Sequence, residues 1–124
     1  KDPIERRLLG IAFWQESIQN RTIKPELIFM KLSKAKEVYK DIKEDLIYEA
    51  EEFYLNSENL QKDVREMLLS IEEEYLNEEL IKTMIEFKNL PRQGGASKDG
   101  RGEIEILKKI NEINKRKEEI KNSR

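Results

Sequence analysis

The sequence predicts an all-α protein, with an N-terminal helical bundle followed by a C-terminal antiparallel helical hairpin. Charged residues make up 40% of the 124 residues and hydrophobic residues 37%, with only five glycines and three prolines. A composition poor in the helix breakers Gly and Pro and rich in Glu, Lys, Leu and Ile is typical of helical proteins. Apolar residues recur every three or four positions, and no stretch alternates as a half-buried strand would. We place the bundle at residues 1–72 and the hairpin at 73–124, with its tip at 91–102.

The first predicted helix begins at Asp2-Pro3-Ile4-Glu5 and runs to about Ser17. Asp2 can cap it, Pro3 suits the first helical position, and Glu5 completes a capping box. Apolar residues cover so much of its surface that we expect it to be the central helix of the bundle. They are Ile4, Leu8, Leu9, Ile11, Ala12 and Phe13.

A polar loop from Ser17 to Lys24 is followed by a short helix that Pro25 opens. We expect four of its apolar residues to pack inward: Leu27, Ile28, Met30 and Leu32. The stretch from Ala35 to Asn56 fits either one helix or two helices broken near Lys43. Its apolar residues are spaced by three and four: Val38, Ile42, Leu46, Ala50 and Phe53. Trp14 and the four tyrosines are expected in core and boundary packing: Tyr39, Tyr48, Tyr54 and Tyr75.

The helical pattern continues from Leu60 to Leu90 without a Gly or Pro. Its apolar face changes near Glu72-Glu73-Glu74, which predicts a bend or a break there. The first strip comprises Val64, Met67, Leu68 and Ile71, and the second comprises Leu76, Leu80, Met84 and Phe87. Pro91 should end the helix, because the residue before a proline avoids the helical conformation.

The last predicted helix runs from Glu103 to about Asn122. Its seam repeats with spacings of 4, 3, 4 and 3: Ile106, Ile110, Ile113, Lys117 and Ile120. Such a heptad seam indicates a helix that packs along a partner helix. The nearest candidate is the strip from Leu76 to Phe87, and the two helices would form the hairpin.

The stretch PRQGGASKDGRG (91–102) is dense in glycine and raises the question of phosphate binding. A phosphate loop needs G-x-x-x-x-G-K-[ST] between a buried strand and a helix. Here Arg101 and Gly102 follow Gly100, and the preceding segment is predicted to be helical. We therefore interpret the stretch as the turn of the hairpin.

The residue inventory argues against an enzyme. The chain has no Cys and no His, which removes thiol nucleophiles, imidazole acid–base chemistry and thiolate zinc sites. Carboxylate metal sites in helical bundles use Glu-x-x-His motifs, which need His. We expect no catalytic, cofactor-binding or metal-binding residue in the chain. We interpret the acidic residues of two stretches as a solvated face: Glu44, Asp45, Glu49, Glu51, Glu52 and Glu72 to Glu74.

The net charge of −2 is divided unevenly. Residues 91–124 hold ten Lys/Arg against six Asp/Glu, whereas residues 1–90 hold 14 against 20. The basic residues of the last helix are interleaved with Glu and lack aromatic neighbours for base stacking, so we do not expect direct nucleic-acid binding. No apolar run approaches the roughly 20 residues that span a bilayer. We expect a cytoplasmic protein with no membrane partner.

The predicted hairpin carries apolar residues away from its seam. Ile104, Leu107, Asn111 and Asn114 form a second strip on the last helix at 100° per residue, and Ile81 and Ile85 lie off the seam of the other arm. A two-helix hairpin buries only one face of each helix. These residues must therefore pack on the bundle or meet another protein, and we favour the partner.

The chain resembles the C-terminal helicase-binding domain of bacterial replicative primases. IERRLLG (4–10) resembles its opening helix, residues 68–90 resemble its exit into the terminal hairpin, and EIEILKKINEINKRKEEI (103–120) is similar to the second arm. The resemblance spans nearly the whole chain in order. The longer glycine-rich tip, which includes Pro91, departs from the short acidic connection common in that family.

The resemblance implies a non-catalytic domain that recruits primase to the replication fork and modulates the helicase. The hairpin would dock on the N-terminal domains of the hexameric replicative helicase through Ile81, Ile85, Ile104 and Leu107, with Asn111 and Asn114 on the same strip. Residues 60–71 would close the bundle. The domain would be monomeric alone and need no cofactor. Two other hypotheses stay open: a homodimerising helical module and a weakly nucleic-acid-binding bundle.

Overall fold

The computed structural model describes residues 3–89 and 101–124, and within them the protein is all-α. Helices are the only regular elements in these two ranges, which confirms the predicted fold class. They are α1 (Pro3–Glu16), α2 (Pro25–Lys31), α3 (Ser33–Tyr39), α4 (Lys43–Tyr54), α5 (Leu60–Lys88) and α6 (Arg101–Ser123), with one 3-10 turn at Lys40–Ile42. The predicted cap Asp2, the stop at Pro91 and most of the glycine-rich tip lie outside the described residues.

The chain divides into two compact units, Lys1–Ile71 and Glu72–Arg124. We call them the N-terminal unit and the C-terminal unit. The boundary falls inside α5, so the first part of this helix belongs to one unit and the second part to the other. None of the described helices is long and apolar enough to cross a membrane.

In the N-terminal unit α1 is the central helix, as its apolar surface predicts. Leu8, Leu9, Ile11 and Ala12 are fully buried, and α1 packs chiefly on α4 and α2. The helices approach closely at Gly10, where a Cβ atom would stand 2.9 Å from the carbonyl oxygen of Leu46. The start of α5 closes the same core through Leu60, Val64 and Met67.

A buried amide holds the loop between α1 and α2. The Gln15 side chain is 1% exposed, and its Oε1 accepts hydrogen bonds from the backbone N–H groups of Thr22 (2.7 Å) and Ile23 (3.1 Å). Gln61 in the first turn of α5 donates to the Thr22 carbonyl at 3.0 Å. Side chains therefore satisfy the hydrogen-bonding groups of the backbone at Thr22 and Ile23, and Ile23 can be buried in the core.

Leu27 and Met30, which were predicted to pack inward, are exposed instead, so these two assignments were wrong. Val38 and Phe53, members of the apolar series spaced by three and four, are also exposed. The 3-10 turn at Lys40–Ile42 separates α3 from α4, and the helical phase of one therefore does not carry into the other. In α4 the buried positions are Leu46, Ala50 and Tyr54, at uniform spacings of four. Of the aromatic residues predicted in the core and its boundary, Trp14, Tyr39 and Tyr54 are buried, whereas Tyr48 and Tyr75 are exposed.

Of the two alternatives for residues 35–56, one helix or two broken near Lys43, the structure has two, since the 3-10 turn directly precedes α4. The break considered at Glu72-Glu73-Glu74 does not occur, because α5 continues through them for 29 residues. Glutamate is a good helix former, so a run of three does not interrupt a helix. The apolar face changes there because the two parts of α5 contribute to different units.

Candidate protein-interaction site

The C-terminal unit is built from the second part of α5 and from α6, which run antiparallel according to their ion pairs. Arg116 binds Glu72 through two hydrogen bonds, and Lys109 lies 3.9 Å from Glu79. The partners are seven residues apart on each helix and appear in opposite order along the chain. The hydrogen bonds that Arg116 donates to Glu72, and a further one to Glu119, raise the pKa of Arg116 above its ordinary value. Glu72 is thus an ion-pair partner as well as part of an acidic run.

The α6 seam faces inward as predicted. Ile113 and Ile120 are buried, and Ile106, Ile110 and Lys117 are half-buried. On α5 the inward positions are Leu76, Leu80, Thr83 and Phe87, which repeat with spacings of 4, 3 and 4. Thr83 is fully buried, and its Oγ1 donates to the Glu79 carbonyl at 2.7 Å. A threonine whose hydroxyl is satisfied within its own helix can occupy an apolar seam.

An apolar groove of about 390 Å³ lies between the two helices, toward the C-terminus of α5 and the N-terminus of α6. It is lined by Ile81, Met84, Ile85, Phe87, Lys88, Leu107 and Ile110. Phe87 and Ile110 are half-buried, whereas Ile81, Met84, Ile85 and Leu107 leave 47–59% of their surface in solvent. We call this the hairpin groove. Among the described residues that line it, Lys88 is the only charged one.

Three of the predicted partner-binding residues, Ile81, Ile85 and Leu107, meet in this groove. Ile104 is 51% exposed but does not line the groove. Asn111 and Asn114 are exposed on the same strip of α6 and also lie outside the lining. The structure therefore brings together three of the four apolar members of the predicted set, from both helices, and leaves Ile104 and the two amides outside the groove lining.

Sequence reasoning missed four groove residues: Met84, Phe87, Lys88 and Ile110. A seam made only of apolar residues includes Met84, because the neighbouring Thr83 is polar. A strict 4-3-4 repeat predicts Thr83 in the seam and Met84 on the exposed side of the helix. The heptad spacing was thus a usable signal, but it is hard to recognise because one seam residue is polar.

The N-terminal unit holds a smaller cavity of about 150 Å³ between α1 and α4. Its two arginines are already engaged: Arg6 binds Glu49 at 2.6 Å, and the guanidinium of Arg7 lies 5.7 Å from the centre of the Phe53 ring. Burial raises the pKa of Tyr54 above its ordinary value, so the hydroxyl that lines this cavity stays neutral. These contacts are those of helix packing, and we assign no site here.

Within residues 3–89 and 101–124, no group of three carboxylates is placed to hold a metal ion. The acidic residues of α4 are exposed, in agreement with the solvated face predicted for them. The chain matches no protein-family model, no curated protein and no solved structure. The fold and the geometry of the hairpin groove therefore carry the functional argument.

Proposed function

We propose that this chain is a non-catalytic protein-interaction domain that binds another protein at the hairpin groove. The observation that supports this is the cluster of exposed apolar side chains contributed by both helices to one concave surface. Single exposed apolar residues are common on soluble proteins, but a contiguous group around a groove marks an interaction site. A helix is the natural occupant of a groove between two helices, because its apolar ridge completes a three-helix packing.

The magnitudes favour a transient complex. Fully burying a Leu, Ile or Met side chain contributes about 1.5–3 kcal/mol, and the four exposed apolar residues of the groove retain about half of their surface. Covering Ile81, Met84, Ile85 and Leu107 would thus contribute roughly 3–6 kcal/mol. Association costs an estimated 4–15 kcal/mol, so the groove alone gives weak binding. Tight binding requires further polar contacts or several copies of the domain on one multimeric partner.

The partner we propose is the hexameric replicative DNA helicase, and the domain would be the C-terminal helicase-binding domain of a bacterial primase. This identification rests on the resemblance of residues 4–10, 68–90 and 103–120 to that family. A hexamer offers repeated binding sites, which suits a groove of low intrinsic affinity. Docking would raise the local concentration of primase at the fork and would act in the cytoplasm.

Sedimentation of the purified domain with a bacterial replicative helicase tests the proposal. The domain should sediment alone as a monomer and should move with the hexamer when the two are mixed. A domain that stays at its own sedimentation coefficient with an excess of helicase would reject this partner.

The same groove supports one alternative, a homodimerising module in which two copies cover each other's apolar residues. Among the described residues of its lining only Lys88 is charged, so a second copy would meet little like-charge repulsion there. A sedimentation coefficient that rises with the concentration of the domain alone would favour this function over helicase binding.

A further inference from the structure

A second exposed surface lies in the N-terminal unit, on the outward face of α4. Tyr48 and Leu55 are 64% and 61% exposed, and they are seven residues apart. Seven residues are close to two helical turns, so both side chains lie on one strip about 10.5 Å apart. This strip is opposite the buried positions of α4, which are Leu46, Ala50 and Tyr54. Two large apolar groups are thus held in solvent on the face that does not contribute to the core.

Carboxylates flank this apolar pair on both sides. At 100° per residue, Glu44 and Glu51 lie along one edge of the strip and Asp45 and Glu52 along the other, and all four are exposed. Residues 44–61 contain six Asp/Glu and no Lys or Arg, although the chain holds 24 Lys/Arg in all. Across the described ranges, the ion pairs of this stretch involve only Glu49, which binds Arg6. Among the described residues, none of the four carboxylates beside Tyr48 and Leu55 is therefore within ion-pair distance of a basic side chain.

The position of these carboxylates in the helix adds an independent observation. Glu44 and Asp45 lie in the first turn of α4, where the helix dipole favours negative charge. Glu51 and Glu52 lie near its C-terminus, where the dipole disfavours negative charge, and the last turn contains no basic residue. Cations supplied from outside would relieve this repulsion. The strip thus combines apolar groups that gain from being covered with charges that gain from a basic neighbour.

We infer that the outward face of α4 is a docking surface for a basic amphipathic helix of another protein. The helix would place two apolar side chains, at positions i and i+7, against Tyr48 and Leu55. Its Lys or Arg residues beside them would pair with Glu44, Asp45, Glu51 and Glu52. We call this the α4 strip. Its negative charge disfavours nucleic acids and anionic membranes as occupants, because both repel carboxylates.

This inference does not depend on the hairpin groove, since the α4 strip belongs entirely to the other unit. The two surfaces should also bind partners of different chemistry. The hairpin groove is apolar and nearly uncharged, whereas the α4 strip requires positive charge. One domain would therefore contact two different segments, and loss of one interaction would leave the other intact.

The probe is a labelled synthetic helical peptide with Leu at i and i+7 flanked by Lys. The control peptide has the same composition, with its leucines moved to opposite faces. Binding is measured by fluorescence anisotropy at low and physiological salt. The first peptide should bind at least tenfold more tightly than the control, and the variant Tyr48→Ser/Leu55→Ser should lose at least tenfold. The variant Leu27→Ser/Met30→Ser, which removes two exposed apolar residues of α2, should bind as the wild type does.

Four results would overturn the inference. Equal binding of both peptides, or unchanged binding by Tyr48→Ser/Leu55→Ser, would mean that charge alone attracts the probe. No binding at low salt would reject the surface altogether. Self-association of the domain that Tyr48→Ser/Leu55→Ser abolishes would identify a second copy, rather than a basic helix, as the occupant. Circular dichroism of each variant confirms that the comparison is between folded proteins.

Discussion

Arg116 on α6 donates two hydrogen bonds, of 2.7 and 2.8 Å, to the two carboxylate oxygens of Glu72 on α5, 44 residues earlier in the chain. A bidentate arginine–carboxylate pair is directional, so it restrains how the two helices slide along each other. Lys109 and Glu79 lie one heptad further along and obey the same antiparallel register. That register determines which apolar residues of the two helices meet at the hairpin groove.

Charge exchange tests whether the pair sets this register. Glu72→Arg and Arg116→Glu should each lower the melting temperature, because each places like charges opposite one another. The double exchange Glu72→Arg/Arg116→Glu should recover much of the loss. Thermal denaturation followed by circular dichroism measures all three, and equal loss in the single and double variants would show that the pair does not restrain the helices.

Gly10 permits the close approach of α1 and α4. In Gly10→Ala the new Cβ would meet the Leu46 carbonyl oxygen at 2.9 Å, and a backbone atom cannot rotate aside. Overpacking costs about 1–3 kcal/mol, whereas Gly→Ala within a helix gains about 1 kcal/mol. We expect a net loss of roughly 1 kcal/mol in the free energy of unfolding, measured with urea. A gain in stability would mean that α1 and α4 can move apart to accommodate the Cβ atom without loss of packing energy.

Gln15 satisfies two backbone donors of the loop after α1. Gln15→Leu would leave the N–H groups of Thr22 and Ile23 without this acceptor, and the Ile23 N–H is buried. An unsatisfied buried donor costs about 1–3 kcal/mol, so we expect a loss of roughly 2–3 kcal/mol. Gln61→Ala, which removes an exposed hydrogen bond to the same loop, should cost less than about 1 kcal/mol. If urea denaturation gives equal losses in the free energy of unfolding for both variants, Gln15 contributes no more to the loop than the exposed Gln61 does.

Thr83 and Met84 are adjacent in sequence but differ in environment. Thr83 is fully buried, whereas Met84 is 53% exposed and lines the hairpin groove. Thr83→Asp should therefore unfold the C-terminal unit, because it buries an unpaired charge. Met84→Asp should keep the helicity and weaken partner binding. Circular dichroism separates the two, and loss of helicity in Met84→Asp would place that residue in the seam after all.

The sequence predicted the features that depend on local spacing. The central position of α1 follows from its nearly continuous apolar surface, and the α6 seam follows from a regular heptad of isoleucines. Both are properties of one helix and need no knowledge of its neighbours. Three apolar members of the candidate site, Ile81, Ile85 and Leu107, were found by the same reasoning, because they lie off the two seams.

What the sequence did not reveal depends on packing between elements. In α4, Tyr54 and not Phe53 follows Leu46 and Ala50 in the core, because the buried positions repeat by four and the packing of the helix decides between a step of three and a step of four. Thr83 replaces Met84 in the seam because its hydroxyl is satisfied by its own helix, which residue type alone does not show. The role of Gln15 depends on a loop folding back to it, and no helical periodicity encodes that contact.

The central claim is that the hairpin groove binds the replicative helicase, and titration of a purified bacterial hexamer with matched variants tests it most directly. Ile85→Asp and Leu107→Asp place a charge in the groove and should abolish binding while leaving the helicity unchanged. Leu27→Asp, at a residue 54% exposed on α2, places the same charge on the N-terminal unit and should bind as the wild type does. Wild-type affinity in Ile85→Asp and Leu107→Asp, with normal circular dichroism, would contradict the account.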